Sequence, residues 1–158
     1  MASVRLRKMT QPEYDAFRAR SEREYAREIA GSGQLDLEAA ERRSAVELAE
    51  LLPDGLASPG MHLWTAETAD TGERVGIGWV ELRRRRPGVS AWIYDIEVDA
   101  SRRGAGLGRA LMEALHDAAR DLGATSVALN VFGQNTAAIR LYESLGYGVT
   151  AQQMTREL

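Results

Sequence analysis

The sequence predicts a single α/β domain with a mixed, mostly antiparallel central sheet. A length of 158 residues suits one domain with one sizeable core. In the middle of the chain, β-prone segments separated by turn residues favour antiparallel hairpins. A strand–helix–strand unit follows them, and the combination is typical of a mixed sheet with packed helices.

The N-terminal third of the chain predicts one strand followed by two helices. Residues 3–9 alternate as a half-buried strand does. Thr10 and Glu13 have the spacing of a capping box, so a long helix is expected to begin there and to end at the Gly-Ser-Gly run. Asp36 can cap a second helix, which Pro53 should stop.

Three strands and a strongly patterned helix are expected next. The strands are predicted at 61–68, 74–84 and 89–98, with turn sequences between them. Apolar residues over 107–122 then recur at helical spacing. Gly123 lies where the C′ residue of that helix should be.

The remaining elements complete the order β-α-α-β-β-β-α-β-α-β over a single domain, residues 1–158. A strand is predicted at 125–132, a helix at 135–145 ended by Gly146, and a last strand at 147–155. We therefore expect a sheet of six or seven strands flanked by about four helices.

Composition excludes several kinds of site. The chain has no cysteine, which removes disulfide scaffolds, thiolate zinc sites and a cysteine nucleophile. This composition suits a reducing cytosol, and we expect a cytoplasmic protein. The only histidines, His62 and His116, lack metal-ligand spacing, so no metal is predicted.

Charge and hydropathy give no reason to expect nucleic acid or a membrane as a partner. The formal charge is −3, and the one basic cluster, Arg83–Arg86, precedes Pro87 and Gly88. That context favours a solvated hairpin tip over an anion-binding patch. No apolar run approaches the roughly 18 residues that span a membrane, and the N-terminus lacks the apolar region of a secretory signal.

The stretch SRRGAGLGRALM carries the clearest functional signal. Its glycines, Gly104, Gly106 and Gly108, fall between a predicted strand and a predicted helix. A glycine-rich turn at a helix N-terminus exposes backbone N–H groups that attract phosphate, and glycine lets a diphosphate approach the main chain. Arg103 and Arg109 would add positive charge.

Three phosphate-binding patterns compete for this stretch. A P-loop requires Gly-Lys-Ser/Thr, and the stretch has no lysine. A dinucleotide fingerprint requires G-x-G-x-x-G at the start of a parallel unit, whereas this G-x-G-x-G lies late in the chain. The third pattern, R-x-x-G-x-G, is met by Arg103, Gly106 and Gly108.

These residues resemble the motifs of the GCN5-related N-acetyltransferase (GNAT) family. VDASRRGAGLGRALM is similar to the family's acetyl-CoA pyrophosphate loop, and residues 135–147, NTAAIRLYESLGY, are similar to its second signature, N-x-x-A-x-x-L-Y-x-x-x-G-[FY]. The order of elements matches over essentially the whole length, and the LLPDGL and IYDIEV segments suggest a small bacterial subgroup. The resemblance implies the GNAT fold and transfer of an acetyl group from acetyl-CoA to a primary amine, by direct attack in a ternary complex.

The resemblance also implies how acetyl-CoA would bind. The turn from Arg103 to Arg109 would hold the pyrophosphate through backbone N–H groups; the alternative is a tight turn with no ligand. The pantetheine would insert between strands 91–98 and 125–132 as an added strand, with the N–H near Val98 directed at the thioester oxygen. The implied binding residues are Ile96, Glu97, Val98, Arg103, Gly104, Ala105, Gly106, Leu107, Gly108, Arg109, Asn130, Asn135, Ala138 and Tyr142.

Tyr142 matches the family tyrosine that donates a proton to the departing sulfur. A phenol with a pKa near 10 can protonate an alkyl thiolate of similar basicity, although a tyrosine at helical spacing could also be a core residue. Asn135 matches the asparagine that begins the second signature, and it would also be a good N-cap in any helix.

Glu97 is the first candidate for the general base and Asp95 the second. Simple alternation places both on the face of strand 91–98 that carries Ala91 and Ile93, opposite Tyr94 and its neighbours. A bulge in this strand, usual in the family, would change that facing. A solvent-facing or salt-bridged pair is the alternative.

Some GNAT enzymes that act on protein N-termini have a glutamate base in the later strand, and the resemblance aligns that position with Asn130 of this chain. This departure argues against a base of that type.

The acceptor is expected to contact the first two helices. Tyr25, Glu22, Glu24 and Glu28 could form an anionic, partly aromatic cleft for a cationic amine; the alternative is an amphipathic helix with solvated acids. The acceptor would be a small-molecule or peptide amine. The fold often dimerises, so a homodimer is an expectation. The competing functions are a GNAT-fold sensor or structural module that binds acyl-CoA without turnover, and a nucleotide-phosphate-binding domain unrelated to CoA.

Overall fold

The computed structural model describes residues 3–33 and 35–158. The chain forms two compact units, the first extending to Ala128 and the second comprising Leu129–Leu158. The prediction of one domain over 1–158 stays a prediction.

The elements follow the predicted order up to the fourth helix. They are β1 (Val4–Lys8), α1 (Gln11–Gly31), α2 (Leu37–Leu51), β2 (Met61–Thr68), β3 (Arg74–Arg85), β4 (Gly88–Val98), α3 (Leu107–Asp121), β5 (Ser126–Leu129) and α4 (Thr136–Ser144). Short 3₁₀ turns lie at Gly55–Ala57 and Ala100–Arg102.

The sheet is mixed, as predicted, with strand order β1-β2-β3-β4-β5. Strands β1 to β4 pair antiparallel, and β3 and β4 meet in a hairpin whose tip holds the basic cluster. The N–H of Thr125 donates to the carbonyl of Val89 at 2.8 Å, which brings the start of β5 beside the start of β4. That is the arrangement of parallel strands joined by a helical crossover.

The sheet has five strands in the described part of the chain, so the prediction of six or seven was wrong. Residues 147–155 form no strand there, and β5 is shorter than the predicted 125–132. Val149 and Met154 are 70% and 88% exposed, so the apolar positions of the last segment bury little surface. A short alternating pattern without a buried face has little to stabilise a strand.

The predicted helix ends are confirmed. The Thr10 hydroxyl accepts from the N–H of Glu13, and the Glu13 carboxylate accepts from the N–H of Thr10, completing the capping box. Asp36 caps α2 by accepting from the N–H of Ala39. Gly123 follows α3 with a φ of +90°, as a C′ glycine does.

Two apolar clusters lie on the two faces of the sheet in the first unit. On the face of α1 and α2, Phe17 and Leu48 pack with Ile77 and Trp79. The other cluster joins α3 to the opposite face; its members are Ala66, Val75, Leu107 and Leu111, with Ile96 and Val98 packed against them. The strand β4 therefore faces a helical layer on each side.

A β-bulge at Tyr94 corrects the predicted facing of β4. Trp79 pairs with Asp95 and the next residue, Val80, pairs with Ile93, so Tyr94 is an extra residue in β4. Because cross-strand partners share a face, Asp95 lies on the Trp79 face, towards α1 and α2. Glu97, opposite Ile77, lies on the same face. The carboxylates therefore do not share the face of Ala91 and Ile93, as simple alternation predicted.

The α3 core offers a direct stability test. Leu115 is fully buried at 0% exposure, so Leu115→Ala should lower the free energy of unfolding by about 2–5 kcal/mol. Leu122, at the C-terminal end of α3, is 40% exposed, and Leu122→Ala should cost under about 1 kcal/mol. Urea titration of both variants measures these losses. Equal losses would contradict the assigned buried face of α3.

Candidate active site

The second half of β4 directs backbone groups away from β3. The N–H of Asp99 donates to the carbonyl of Val75 at 2.8 Å. Bonded and non-bonded pairs alternate in an antiparallel ladder, so Val98 and Ile96 occupy non-bonded positions opposite Gly76 and Gly78. Their N–H and C=O groups therefore point to the β5 side. β4 continues past the end of β5, because β5 has only four residues and begins beside the start of β4.

The turn that precedes α3 differs from the other helix starts. Gly106 is the N-cap of α3 with a φ of +72°, and Gly104 has a φ of +84°. Side chains cap α1, α2 and α4, whereas glycine offers α3 no side-chain acceptor. The first N–H groups of α3, at the positive end of the helix dipole, are therefore without a capping side chain.

Arg103 connects this turn to β4. Its Nε donates to the carbonyl of Val98 at 3.3 Å, and its Nη2 lies 3.6 Å from Oε1 of Glu97. The exposed Gly104, Ala105 and Gly106 can offer backbone to a ligand. Leu107 is only 4% exposed and packs in the α3 core, so its N–H is the group it could offer.

Asp95 and Glu97 form a carboxylate pair on the face of α1. Arg20 of α1 contacts Glu97, with Nη2 3.2 Å from Oε2. Burial and the neighbouring charge of Glu97 raise the pKa of Asp95 to about 6, and the charge of Arg20 opposes this rise. A carboxyl with a pKa of about 6 is ionised at neutral pH and is more basic than an ordinary aspartate, which suits a general base.

Aromatic and charged side chains also lie on the Trp79 face of the sheet, next to the bulge. The Tyr94 ring stacks on Trp79 with centroids 4.6 Å apart, and its hydroxyl donates to Glu81 at 2.7 Å. Arg83 donates to the same hydroxyl at 3.1 Å and lies 4.7 Å from the centre of the Trp92 ring. Guanidinium, carboxylate and phenol thus fix one another beside the carboxylate pair.

The acceptor candidates on α1 have separate surroundings. Glu22 pairs with Arg18 at 3.0 Å, Tyr25 is hydrogen-bonded to Glu47 of α2, and Glu28 is exposed. The charge of Glu24 raises the pKa of Asp95, so Glu24 influences the carboxylate pair. Their role in acceptor binding stays a prediction.

The candidates in the second unit lie on and before α4. Asn135 caps this helix by accepting from the N–H of Ala138 at 3.2 Å, and Asn130 is exposed. The ring of Tyr142 lies 5.6 Å from that of Tyr147. Burial, with a smaller effect of Tyr142, raises the pKa of Tyr147 to about 12.

Sequence reasoning did not identify Arg20, Glu81 or Arg83 as part of this site. Arg20 is one of several arginines on a highly charged helix, and no motif marks it. Its contact with Glu97 joins residues 77 positions apart. Among the described residues, no cluster of His, Asp or Glu side chains could hold a metal ion, and no helix is long and apolar enough to cross a membrane.

The mixed sheet, the glycine turn before α3 and the edge of β4 that extends beyond β5 form an α/β domain with a candidate ligand-binding site, and comparison with known proteins identifies its family. The model of the Acetyltransferase (GNAT) family matches residues 15–147. The chain therefore belongs to the GNAT acetyltransferase family, as the sequence motifs indicate.

Two similar proteins match nearly the whole chain, and a third matches part of it. YdgE of Bacillus subtilis, an uncharacterized N-acetyltransferase, is 33% identical over 153 residues, which cover 97% of each chain. The crystal structure of YycN, also an uncharacterized N-acetyltransferase of Bacillus subtilis, is 31% identical and matches 99% of each chain with a TM-score of 0.86. The L-amino acid N-acyltransferase MnaT of Escherichia coli is 41% identical over 59 residues, which cover 37% of this chain and 34% of MnaT.

The raised pKa of Asp95 predicts a pH-dependent gain in stability for Asp95→Asn. The folded pKa of about 6 exceeds the unfolded value of about 3.9, so ionisation destabilises the folded protein as the pH rises through that window. The amide that replaces the carboxyl in the variant would not ionise. The free energy of unfolding of the variant, relative to wild type, should therefore be higher at pH 7.5 than at pH 4 by about 2 kcal/mol.

Urea titration at the two pH values measures this difference. Asp117→Asn, at an aspartate that is 76% exposed on α3, is the control and should show little difference between pH 4 and pH 7.5. A pH-independent effect of Asp95→Asn would contradict the raised pKa.

Proposed function

We propose that this protein transfers the acetyl group of acetyl-CoA to a primary amine by direct attack in a ternary complex. The observation that carries the proposal is the backbone of β4, whose Ile96 and Val98 direct N–H and C=O groups away from β3. An extended ligand with amide groups can pair with such an edge. Membership of the GNAT acetyltransferase family supports the reaction class.

The turn before α3 fits the diphosphate of acetyl-CoA. We assign its binding to the backbone N–H groups of residues 104–109 at the uncapped start of α3, with positive charge from Arg103 and Arg109. Gly104 and Gly106 keep side chains away from the approaching phosphates. Bound there, acetyl-CoA would supply the reactive thioester. Asn130, Asn135 and Ala138 stay further cofactor-binding candidates on the family resemblance.

We assign the general base to Asp95, with Glu97 as the alternative. An amine is protonated at neutral pH and must lose a proton before it can attack a carbonyl carbon. The environment of Asp95 raises its pKa to about 6, whereas Glu97 is held by Arg20 and Arg103. Asp95 is therefore better suited to accept that proton, directly or through one water.

Two further groups of this chain would stabilise the changing charges. The N–H of Val98 would donate to the oxygen of the thioester carbonyl as negative charge develops there. The phenol of Tyr142 would donate a proton to the departing thiolate, the role that the family resemblance gives it.

The acceptor is a primary amine, and we favour a small molecule. The face that carries Asp95 also presents Tyr94 and Glu81, groups that can bind a cationic amine. MnaT is named as an L-amino acid N-acyltransferase, which supports an amino acid or a related compound as the first acceptor class to examine. A peptide amine is the second class.

Calorimetric titration with acetyl-CoA tests the proposed cofactor, with NAD and ATP as controls. We expect micromolar binding of acetyl-CoA alone, and at least a tenfold loss of affinity in Gly106→Val because a β-branched side chain would obstruct the approaching phosphates. Gly123→Val is the matched control: Gly123 also has a positive φ and open surroundings, but it lies at the other end of α3. Both variants should lose similar stability, and only Gly106→Val should lose affinity.

No binding of acetyl-CoA to the wild-type protein would refute the proposal. Binding without thiol release over a panel of amines would instead indicate a sensor of acyl-CoA.

Tyr142→Phe tests the proposed acid. Loss of the proton donor should lower kcat about 100-fold in a thiol-release assay and leave the affinity for acetyl-CoA within about threefold. Tyr147→Phe is the control, because the second signature admits phenylalanine at that position and the ring contact with Tyr142 would remain. An unchanged kcat in Tyr142→Phe at all pH values would exclude the acid role.

A further inference from the structure

Arg20 of α1 makes a long-range contact with Glu97 of β4. Its guanidinium extends from α1 to the sheet, where Nη2 lies 3.2 Å from Oε2 of Glu97. Its Nε is buried and has no hydrogen-bond partner in residues 3–33 and 35–158. Oε1 of Glu24 lies 3.8 Å from this Nε, which is too far for a hydrogen bond. Because its buried Nε lacks a hydrogen bond, the guanidinium of Arg20 interacts with the carboxylates mainly through its positive charge.

The charges around the carboxylate pair come from three elements. β4 contributes Asp95 and Glu97, α1 contributes Arg20 and Glu24, and the turn before α3 contributes Arg103. The charges of Glu97 and Glu24 disfavour ionisation of Asp95. A nearby cation opposes this effect and favours the ionised carboxylate of Asp95.

Arg20 is better placed than Arg103 to be that cation. The Arg20 side chain is 31% exposed and lies 3.2 Å from Glu97, whereas the Arg103 side chain is 63% exposed and lies 3.6 Å away. Charges that are more exposed are screened more strongly by water. Arg103 also belongs to the proposed pyrophosphate site, where bound phosphates would compete for its charge.

We propose that Arg20 is a positioning residue for the general base, acting from α1 as the counter-cation of the Asp95–Glu97 pair. This inference rests on the proposed function for its catalytic meaning. Arg20 itself touches no reacting atom in this scheme; it acts through the carboxylates.

The expected consequence concerns the acidic limb of the pH profile. With Arg20 present, the pKa of Asp95 is about 6. The charge of Arg20 lowers the pKa of Asp95, and loss of a nearby opposite charge raises a carboxyl pKa by about one unit. In Arg20→Gln, the acidic limb of kcat/KM should therefore move up by about one pH unit, with about a fivefold loss at pH 6 and less than a threefold loss at pH 9.

Arg20→Lys and Arg42→Gln are the matched controls. Lysine keeps the charge, so Arg20→Lys should restore most of the pH profile. Arg42 also pairs with a glutamate four residues away, Glu38, but it is exposed on α2, so Arg42→Gln should leave the profile unchanged. The KM for acetyl-CoA should change little in all three variants.

Glu24→Gln provides a test of opposite sign. Glu24 raises the pKa of Asp95, so its neutralisation should move the acidic limb to lower pH. This variant keeps Arg20 and its contact with Glu97, which makes the test independent of whether Arg20→Gln folds. Opposite shifts in the two variants would support a charge effect; a uniform loss of kcat/KM at all pH values, or no shift in either, would overturn the proposal.

A titration without turnover separates this inference from the proposed function. The carboxyl carbon of Asp95 can be followed by ¹³C NMR in wild type and the two variants, with Asp95→Asn to assign the signal. If wild type releases no thiol with any amine but the Asp95 pKa rises in Arg20→Gln, the counter-cation role stands and the proposed function fails. If turnover is found and the Asp95 pKa does not move, the inference fails and the function stands.

Discussion

The bulge at Tyr94 is the constraint on which the candidate site depends. Alternation in β4 would otherwise place Asp95 and Glu97 beneath α3, among Leu107 and its apolar neighbours. One extra residue reverses the facing for the rest of the strand. Ile96 and Val98 then complete the apolar layer under α3, and both carboxylates turn towards α1. A single backbone irregularity thereby avoids two unpaired charges in a core, which would be costly.

In the proposed reaction, the same strand would separate cofactor binding from proton transfer. Its edge carries the main-chain groups of Ile96 and Val98, while its α1 face carries the carboxylates. Arg103 touches both, because it donates to the carbonyl of Val98 and lies near Glu97. Backbone and side chains of adjacent residues can therefore meet different parts of a ternary complex. A rigid strand holds such a division more accurately than separate loops could.

Local rules predicted the helix starts and ends, since a capping box, an Asp N-cap and a C′ glycine depend only on neighbouring residues. The position of the bulge could not be read in the same way, because IYDIEV contains no glycine or other residue that marks it. The contact of Arg20 with Glu97 depends on how α1 packs on the sheet, and no sequence periodicity specifies it. The segment 147–155 failed as a predicted strand because alternation alone does not guarantee a surface to bury.

The electrostatics of the pair explain why we propose Asp95, the second sequence candidate, as the general base. Burial and Glu97 raise the pKa of Asp95, and Arg20 lowers it. Without the cation, a larger fraction of Asp95 would be protonated at neutral pH, and that fraction could not accept a proton. With a direct ion pair, Asp95 would be ionised but weakly basic. Arg20 contacts Glu97 instead of Asp95. Its positive charge lowers the pKa of Asp95 without a direct ion pair, so Asp95 is ionised at neutral pH and remains basic enough to accept a proton. Glu97 is thus the group that binds the arginine, which leaves Asp95 able to exchange a proton.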